Sequence, residues 1–197
     1  MKKAGFTIVE LMTVIAIIAI LAGLVTSAAS AAIRQSRKSR SSAMQSVLQN
    51  GISAYYAHTG KWPGSSLDDY AEKGEGGKTQ HEKESGYVTL SDTEAQQTFR
   101  KVVKESIASA TPYLDATGLF VSPKANPSTQ GDGELTPSKD LRYSGMSFRD
   151  AVRKTERHAT ALKPDQLYYG YPDARTGKFR QFRLRYNFRG DTVQLLK

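Results

Sequence analysis

The chain of 197 residues contains no cysteine. It therefore forms no disulfide, and zinc sites with cysteine ligands are excluded. Its three histidines are isolated from one another, and it has neither a nucleophile elbow nor a phosphate-cradling glycine loop. These absences leave nothing that resembles a reaction centre, so the sequence predicts a protein that is not an enzyme.

Proline is absent from the first 62 residues. Good helix formers occupy residues 28–32, and apolar residues then recur at spacings of three and four. The sequence predicts one helix from Phe6 to about His58, roughly 53 residues or about 80 Å long. The apolar stripe along its second half comprises Ile33, Met44, Val47, Leu48, Ile52, Tyr55 and Tyr56.

The first half of this predicted helix is an apolar stretch from Ile8 to Val25 that contains one carboxylate, Glu10. A stretch of about 20 apolar residues is long enough to span a bilayer. An ionised side chain within lipid costs roughly 2.5–3.5 kcal/mol on insertion scales, so it is rare without a function. Glu10 therefore needs a partner.

Residues 2–11 read Lys-Lys-Ala-Gly-Phe-Thr-Ile-Val-Glu-Leu. This segment resembles the leader and cleavage site of type IV prepilins and of type II secretion pseudopilins. In that family a membrane peptidase cuts after the glycine, and the new N-terminal residue is N-methylated. The resemblance implies cleavage between Gly5 and Phe6, N-methylation of Phe6, and pairing of Glu10 with the N-terminal amine of a neighbouring subunit. A buried carboxylate and a buried ammonium are each costly alone and much less so together.

Two other interpretations of the N-terminal segment remain open. A secretory signal peptide also has basic residues, an apolar core and small-residue cleavage sites such as those in residues 27–32, but its core is usually shorter and lacks a glutamate. A plain signal anchor explains the length and leaves both Glu10 and the Gly5-Phe6 pair unexplained. The positive-inside count, with four basic residues in residues 34–40 against Lys2 and Lys3, favours the orientation opposite to the one that the prepilin motif implies.

The sequence predicts an α+β fold, in which a long N-terminal helix with a membrane-spanning first half packs on a C-terminal antiparallel sheet, as in pilins. We divide the chain into a leader (1–5), a transmembrane and assembly segment (6–27), an amphipathic continuation (28–58) and a periplasmic globular domain (59–197). Strands are predicted over residues 167–171, 182–188 and 192–196, in one antiparallel sheet. The expected apolar face, which covers the helix stripe, comprises Phe182, Leu184, Tyr186 and Phe188, while Arg183 and Arg185 face water.

The remaining segments give shorter predictions. Gly60 and Pro63 end the long helix, and Trp62 packs over its end. Residues 65–86 have almost no apolar periodicity and are predicted to form a long surface loop. A helix is predicted to open with a Ser91–Glu94 capping box and to bury Phe99, Val102, Val103 and Ile107. A short helix is predicted from Phe148, capped by Ser147, to about His158. Residues 189–191, Arg-Gly-Asp, are predicted to form a hairpin turn rather than an adhesion motif.

Candidate ligand sites are weak. In the major pseudopilins an acidic loop before the last strands binds calcium, and Asp132, Glu134 and Asp140 could supply oxygen ligands here, although ordinary turn chemistry also explains them. His81 has no second histidine or cysteine nearby. The net charge is +9, or +7 without Lys2 and Lys3, but the basic residues are spread along the chain, which favours a solvated surface over a nucleic-acid site.

The resemblance implies a structural subunit of a type II secretion pseudopilus, anchored in the inner membrane with its globular domain in the periplasm. Its partners would be the prepilin peptidase and methyltransferase and other pilin or pseudopilin subunits. Many type IV pilins close their C-terminal region with a disulfide, so the absence of cysteine favours a pseudopilin. A type IV pilus subunit for adhesion, motility or DNA uptake, and an anchored periplasmic binding module that never polymerises, remain the alternatives.

Overall fold

The computed structural model describes residues 7–74, 76, 78–123, 145–153 and 161–197. The helices are α1 (Ile8–Thr59), α2 (Ser65–Lys73), α3 (Gln80–Ser85), α4 (Asp92–Ala108) and α5 (Phe148–Val152). The strands are β1 (Tyr87–Thr89), β2 (Phe120–Pro123), β3 (Met146–Ser147), β4 (Leu167–Pro172), β5 (Phe179–Gln181), β6 (Arg183–Asn187) and β7 (Thr192–Leu196). The α+β class, with a long N-terminal helix followed by antiparallel strands, is confirmed.

The long helix α1 runs unbroken for 52 residues. It begins after Thr7 and ends at Gly60, which adopts the left-handed conformation (φ 69°) and donates its N–H to the Tyr56 carbonyl at 2.8 Å. The helix ends at the glycine that the sequence indicated. Pro63, three residues after Gly60, cannot continue a helix.

The strands form two antiparallel sheets rather than the single sheet that the sequence predicted. One has the order β1-β6-β7 and the other β3-β2-β4-β5. The strands β5 and β6 are separated only by Phe182, yet each belongs to a different sheet. The prediction failed because β1, β2, β3 and β5, two to four residues each, are too short to show a clear alternating pattern, and without them β4 had no neighbour except β6.

The second half of α1 lies in the core, against β4, β7 and α4. The stripe residues Met44, Leu48, Ile52 and Tyr55 are buried, as predicted. Ile33, which we placed on the same stripe, is instead 52% exposed, because it precedes the part of α1 that the domain covers. The stripe is buried together with Phe182, Leu184 and Tyr186 from the sheet. At its edge lie three half-buried side chains, those of Phe188, Val47 and Tyr56.

The prediction of a long loop over residues 65–86 is wrong. Two helices, α2 and α3, occupy most of this segment. Helix α2 is held by one fully buried side chain, Leu67. Helix α3 buries no residue and depends on a capping box in which the Thr79 hydroxyl accepts the Glu82 N–H and Glu82 accepts the Thr79 N–H. The prediction missed α3 because this helix depends on local capping, which cannot be recognised from the spacing of apolar residues.

Helix α4 opens with the predicted Ser91–Glu94 capping box. Its buried face includes Phe99, Val102 and Val103, as expected, but Ile107 is 56% exposed. Ser106 takes the buried position one residue earlier, where its hydroxyl donates to the Leu114 carbonyl at 3.0 Å and accepts the Leu114 N–H at 3.1 Å. The last turn of α4 thus packs on a loop through hydrogen bonds instead of an apolar side chain.

Two smaller predictions are corrected in the C-terminal third. Arg183 is exposed as expected, but Arg185 is half-buried with its guanidinium 5.3 Å from the centre of the Tyr87 ring, because β1 covers that side of β6. Ser147 caps α5 by accepting the Asp150 N–H, as predicted. Helix α5 ends at Val152, and residues 154–158, to which we extended it, lie outside the described residues.

Candidate functional site

The N-terminus of α1 is closed by a capping box between Thr7 and Glu10. Oε2 of Glu10 accepts the Thr7 N–H and the Thr7 hydroxyl, both at 2.9 Å, and the Thr7 hydroxyl accepts the Glu10 N–H at 3.3 Å. A carboxylate at this position satisfies free N–H groups and lies at the positive end of the helix dipole. Glu10 therefore has a partner within its own chain, in addition to any partner in another subunit.

The first half of α1 exposes an unusually large apolar surface. All twelve large apolar side chains between Ile8 and Val25 are exposed, from 46% at Val14 to 78% at Ile8. No residue in the most apolar part of this segment is buried against the rest of the described chain, and the helix is long and apolar enough to cross a membrane. An apolar surface of this extent marks contact with lipid or with another protein.

The polar side chains within the apolar half are satisfied by the helix itself. The hydroxyls of Thr13 and Thr26 donate to the carbonyls of Val9 and Ala22, each at 2.8 Å. Such bonds allow threonine to face an apolar environment without an unpaired donor. Gly23 interrupts neither the hydrogen bonding nor the course of the helix, and a Cβ built on it would meet nothing within 4 Å.

The far end of α1 is fastened to the C-terminal hairpin by Asp191. Oδ2 of Asp191 accepts the Tyr56 hydroxyl at 2.8 Å, while Oδ1 accepts the Trp62 indole N–H at 2.9 Å and the Tyr186 hydroxyl at 2.7 Å. Tyr56 also stacks on Trp62, with ring centres 4.1 Å apart. We call these four residues the Asp191 cluster. Trp62 thus packs over the helix end, as the sequence predicted.

The Asp191 cluster is also an electrostatic unit. Partial burial alone raises the pKa of Asp191, but the hydrogen bonds from Tyr186, Tyr56 and Trp62 outweigh it and hold the pKa below its ordinary value. Burial and the Asp191 carboxylate raise the pKa of Tyr186. Both shifts favour the charge state in which the tyrosine donates and the aspartate accepts.

Helix α1 lies close against the domain at Gly51. A Cβ at this position would overlap the side chain of Leu114, which lies in the loop after α4. The glycine therefore allows the helix backbone to lie directly against an apolar side chain. Earlier in the same helix, the Gln45 side-chain amide donates to the Leu195 carbonyl at 2.6 Å and connects α1 to β7.

Several predicted site residues cannot be placed. Gly5 and Phe6, at the expected cleavage site, and the calcium candidates Asp132, Glu134 and Asp140 lie outside the described residues, so their roles stay predictions. His81 is exposed on α3, and the described part of the chain holds no group of three histidine or acidic side chains arranged to bind a metal.

Comparison with known families identifies the N-terminal segment. Residues 1–26 match the prokaryotic N-terminal methylation motif. The methylation motif is the signature of type IV pilins and pseudopilins, and it ends within the exposed apolar half of α1. Neither the comparison with curated proteins nor that with solved structures gave a match. The first 26 residues are therefore pilin-like, and a long apolar helix that fits membrane anchoring continues from them.

Sequence reasoning missed two elements of this site. The Thr7 cap was present as a Thr-x-x-Glu pattern directly before an apolar run, which is a recognisable helix start. The sequence around Asp191 indicated only a hairpin turn. Nothing in it shows that Tyr56, Trp62 and Tyr186 converge on this carboxylate. Its positive φ of 45°, unusual for a residue other than glycine, is a feature of the fold alone.

Proposed function

We propose that this protein is a structural subunit of a type II secretion pseudopilus, released from its leader between Gly5 and Phe6 and polymerised through the first half of α1. The observation that carries the proposal is the exposed apolar half of an unbroken 52-residue helix, joined to the methylation motif. Such a surface is stable in lipid before assembly and among neighbouring helices after it.

The geometry of Glu10 supports a role in assembly. Both hydrogen bonds from Thr7 end on Oε2, so within the described chain Oε1 faces no donor. A cation from another subunit can approach this oxygen without breaking the cap. The N-terminal amine that cleavage would create is such a cation, and the pair would relieve the cost of each charge in an apolar setting.

The composition supports a pseudopilus over a pilus. The chain has no cysteine for the disulfide that closes many type IV pilins, and α1 has no proline to kink it, as many of those pilins have. In a deletion strain we expect loss of protein secretion across the outer membrane with surface pili retained. Loss of pili with secretion intact would identify a type IV pilus subunit instead.

The mature N-terminus is the first test. Mass spectrometry of the protein from its host should show N-methylated Phe6 as the first residue. An N-terminus created by cleavage after Ala29, Ala31 or Ala32 would identify a cleaved signal peptide, and an unprocessed chain would identify a plain anchor. Either result contradicts the proposal.

Three substitutions separate charge pairing from capping. Glu10→Gln keeps an acceptor for Thr7 but removes the charge, Glu10→Val removes both, and Thr7→Val weakens the cap while keeping the charge. If pairing drives assembly, both Glu10 variants insert in the membrane but fail to co-assemble with wild type, while Thr7→Val assembles. Normal incorporation of Glu10→Gln into filaments would show that the charge is not needed.

A further inference from the structure

A basic groove lies on α1 just beyond the apolar half. Between Glu10 and Asp68 the chain contains no acidic residue, whereas Arg34, Arg37, Lys38 and Arg40 follow one another within two turns of the helix. Like charges on one element repel one another, and a partner of opposite charge relieves that repulsion.

The turn between β4 and β5 adds to this charge. Arg37 donates from Nη1 to the Arg175 carbonyl at 3.1 Å, which holds the turn against α1. The turn has one acid, Asp173, and both of its oxygens are in use: Oδ1 accepts from the turn itself and Oδ2 pairs with Arg180 at 3.0 Å. The side chains of Arg175 and Lys178 therefore add charge that Asp173 does not neutralise.

Arg37 can lie close to the turn because Gly177 has no side chain. A Cβ on Gly177 would come within 2.8 Å of the Arg37 guanidinium carbon. Together, Ser30, Ile33, Arg34, Arg37 and Arg175 line an open groove of about 620 Å³. It combines one exposed apolar side chain, Ile33, with three guanidinium groups, a composition that suits a ligand with an anionic head next to an apolar body.

The Ser30 end of the groove lies at the depth of the lipid headgroups when the first half of α1 spans the bilayer. If the hydrocarbon layer, about 30 Å thick, begins at Ile8, it ends near residue 27, and Ser30 is then about 5 Å beyond it, within the headgroup layer. The Arg34 side chain points back towards the membrane, since its Nε and Nη2 lie 3.3 and 3.4 Å from the carbonyl and hydroxyl oxygens of Ser30. Its guanidinium therefore reaches phosphate level.

We infer that this groove binds the phosphate of an anionic phospholipid on the side of the membrane that faces the globular domain, while the subunit waits in the bilayer for assembly. The inference rests on the proposed membrane-anchored subunit. It accounts for two of the four basic residues on the flank where the positive-inside count disfavours them, Arg34 and Arg37, because a bound headgroup offsets their charge. A neighbouring subunit would have to place acidic residues at headgroup depth to do the same.

The test uses the full chain in detergent, with short-chain phosphatidylglycerol or phosphatidylcholine added and bound lipid counted by native mass spectrometry. We expect the wild-type chain to prefer phosphatidylglycerol. Replacing Arg34, Arg37 and Arg175 by glutamine should weaken its binding about fivefold per arginine, on the order of a hundredfold in all, and leave phosphatidylcholine binding unchanged. A charge-matched control with Lys61, Lys83 and Lys104, exposed residues of the globular domain, replaced by glutamine should change it by less than about twofold.

The single variant Arg34→Gln is a control for misfolding, because the hydrogen bonds from Arg34 to Ser30 stay within α1. It should still show the fivefold loss, with the fluorescence of Trp62 unchanged. Equal affinity for the two lipids, or an equal loss in the control, would overturn the inference. So would unchanged lipid binding by the triple variant combined with lost filament assembly, which would assign the groove to a neighbouring subunit.

The membrane proposal is tested separately. A wild-type chain that is extracted from vesicles by alkaline carbonate would refute membrane anchoring itself. A chain that resists extraction and shows no preference for phosphatidylglycerol would refute only the lipid site.

Discussion

The two halves of α1 are parts of one continuous helix, yet they face opposite environments. Between Ile8 and Val25 every large apolar side chain is exposed, whereas Met44, Leu48, Ile52 and Tyr55 are buried in the domain core. The α-helix is continuous through both halves. What differs is the distribution of apolar side chains, all round the first half and along one stripe in the second. Domain stability should therefore depend on the second half alone.

The largest effect should come from Ile52→Ala. Ile52 is fully buried, so removing three carbons should lower the free energy of unfolding by about 2–5 kcal/mol. The matched change in the first half, Ile17→Ala, removes a side chain that is 52% exposed and should change it by less than about 0.5 kcal/mol. Urea unfolding of the full chain in detergent, followed by Trp62 fluorescence, measures both. Equal destabilisation would mean that the domain also depends on the first half.

A glycine pair sharpens the same comparison. Gly51→Ala forces Leu114 to move and should destabilise the domain by about 1–3 kcal/mol. Gly23→Ala meets nothing within 4 Å, and it raises helix propensity locally by about 1 kcal/mol without reaching the domain. The same unfolding measurement should therefore separate them. A stable Gly51→Ala variant would show that the loop containing Leu114 moves to accommodate the added methyl group.

Asp191→Asn tests whether the end of α1 is fastened by charge. The amide cannot accept all three hydrogen bonds, and because the site is partly open to solvent we expect a loss of about 1–2 kcal/mol. Asp69→Asn, which breaks the exposed Asp69–Lys73 pair, should cost no more than about 0.5 kcal/mol. Comparable losses in the two variants would argue against the cluster.

The smallest effect should appear as a pH dependence confined to the domain. Hydrogen bonds from Thr176, first of all, lower the pKa of Asp173 from 3.8 to about 2. A carboxyl whose pKa is lower in the folded state stabilises it fully above pH 3.8, and the contribution is lost as pH falls towards 2. Acid unfolding followed by Trp62 fluorescence should shift to higher pH in Asp173→Asn, while the helicity of the first half stays constant. An unchanged acid midpoint would contradict this role.

The long helices α1 and α4 were predicted well from the sequence. Apolar spacing gave α1 to within two residues at its start and one at its end, and Ser91 with Glu94 gave the start of α4. It failed where structure depends on short elements. Helix α3 and strands β1, β3 and β5 have two to six residues each, too few to show a period. The partner of β1, strand β6, is also distant in sequence.

The candidate site divides in the same way. The motif around Glu10 is local, so it was recognisable without a structure. Gly51, Arg175 and Asp191 gain their roles from residues that lie far away in the chain: Leu114 for the first, Arg37 for the second, and Tyr56 and Trp62 for the third. Such contacts are set by tertiary packing, which periodicity and composition do not encode.

The Asp191 cluster has a mechanical consequence. It joins the last turn of a helix about 78 Å long to a hairpin six residues from the end of the chain. Tension applied along α1 is carried to the hairpin by two hydrogen bonds that end on one carboxylate, those from Tyr56 and Trp62. The helix and the globular domain should consequently move as one stiff unit.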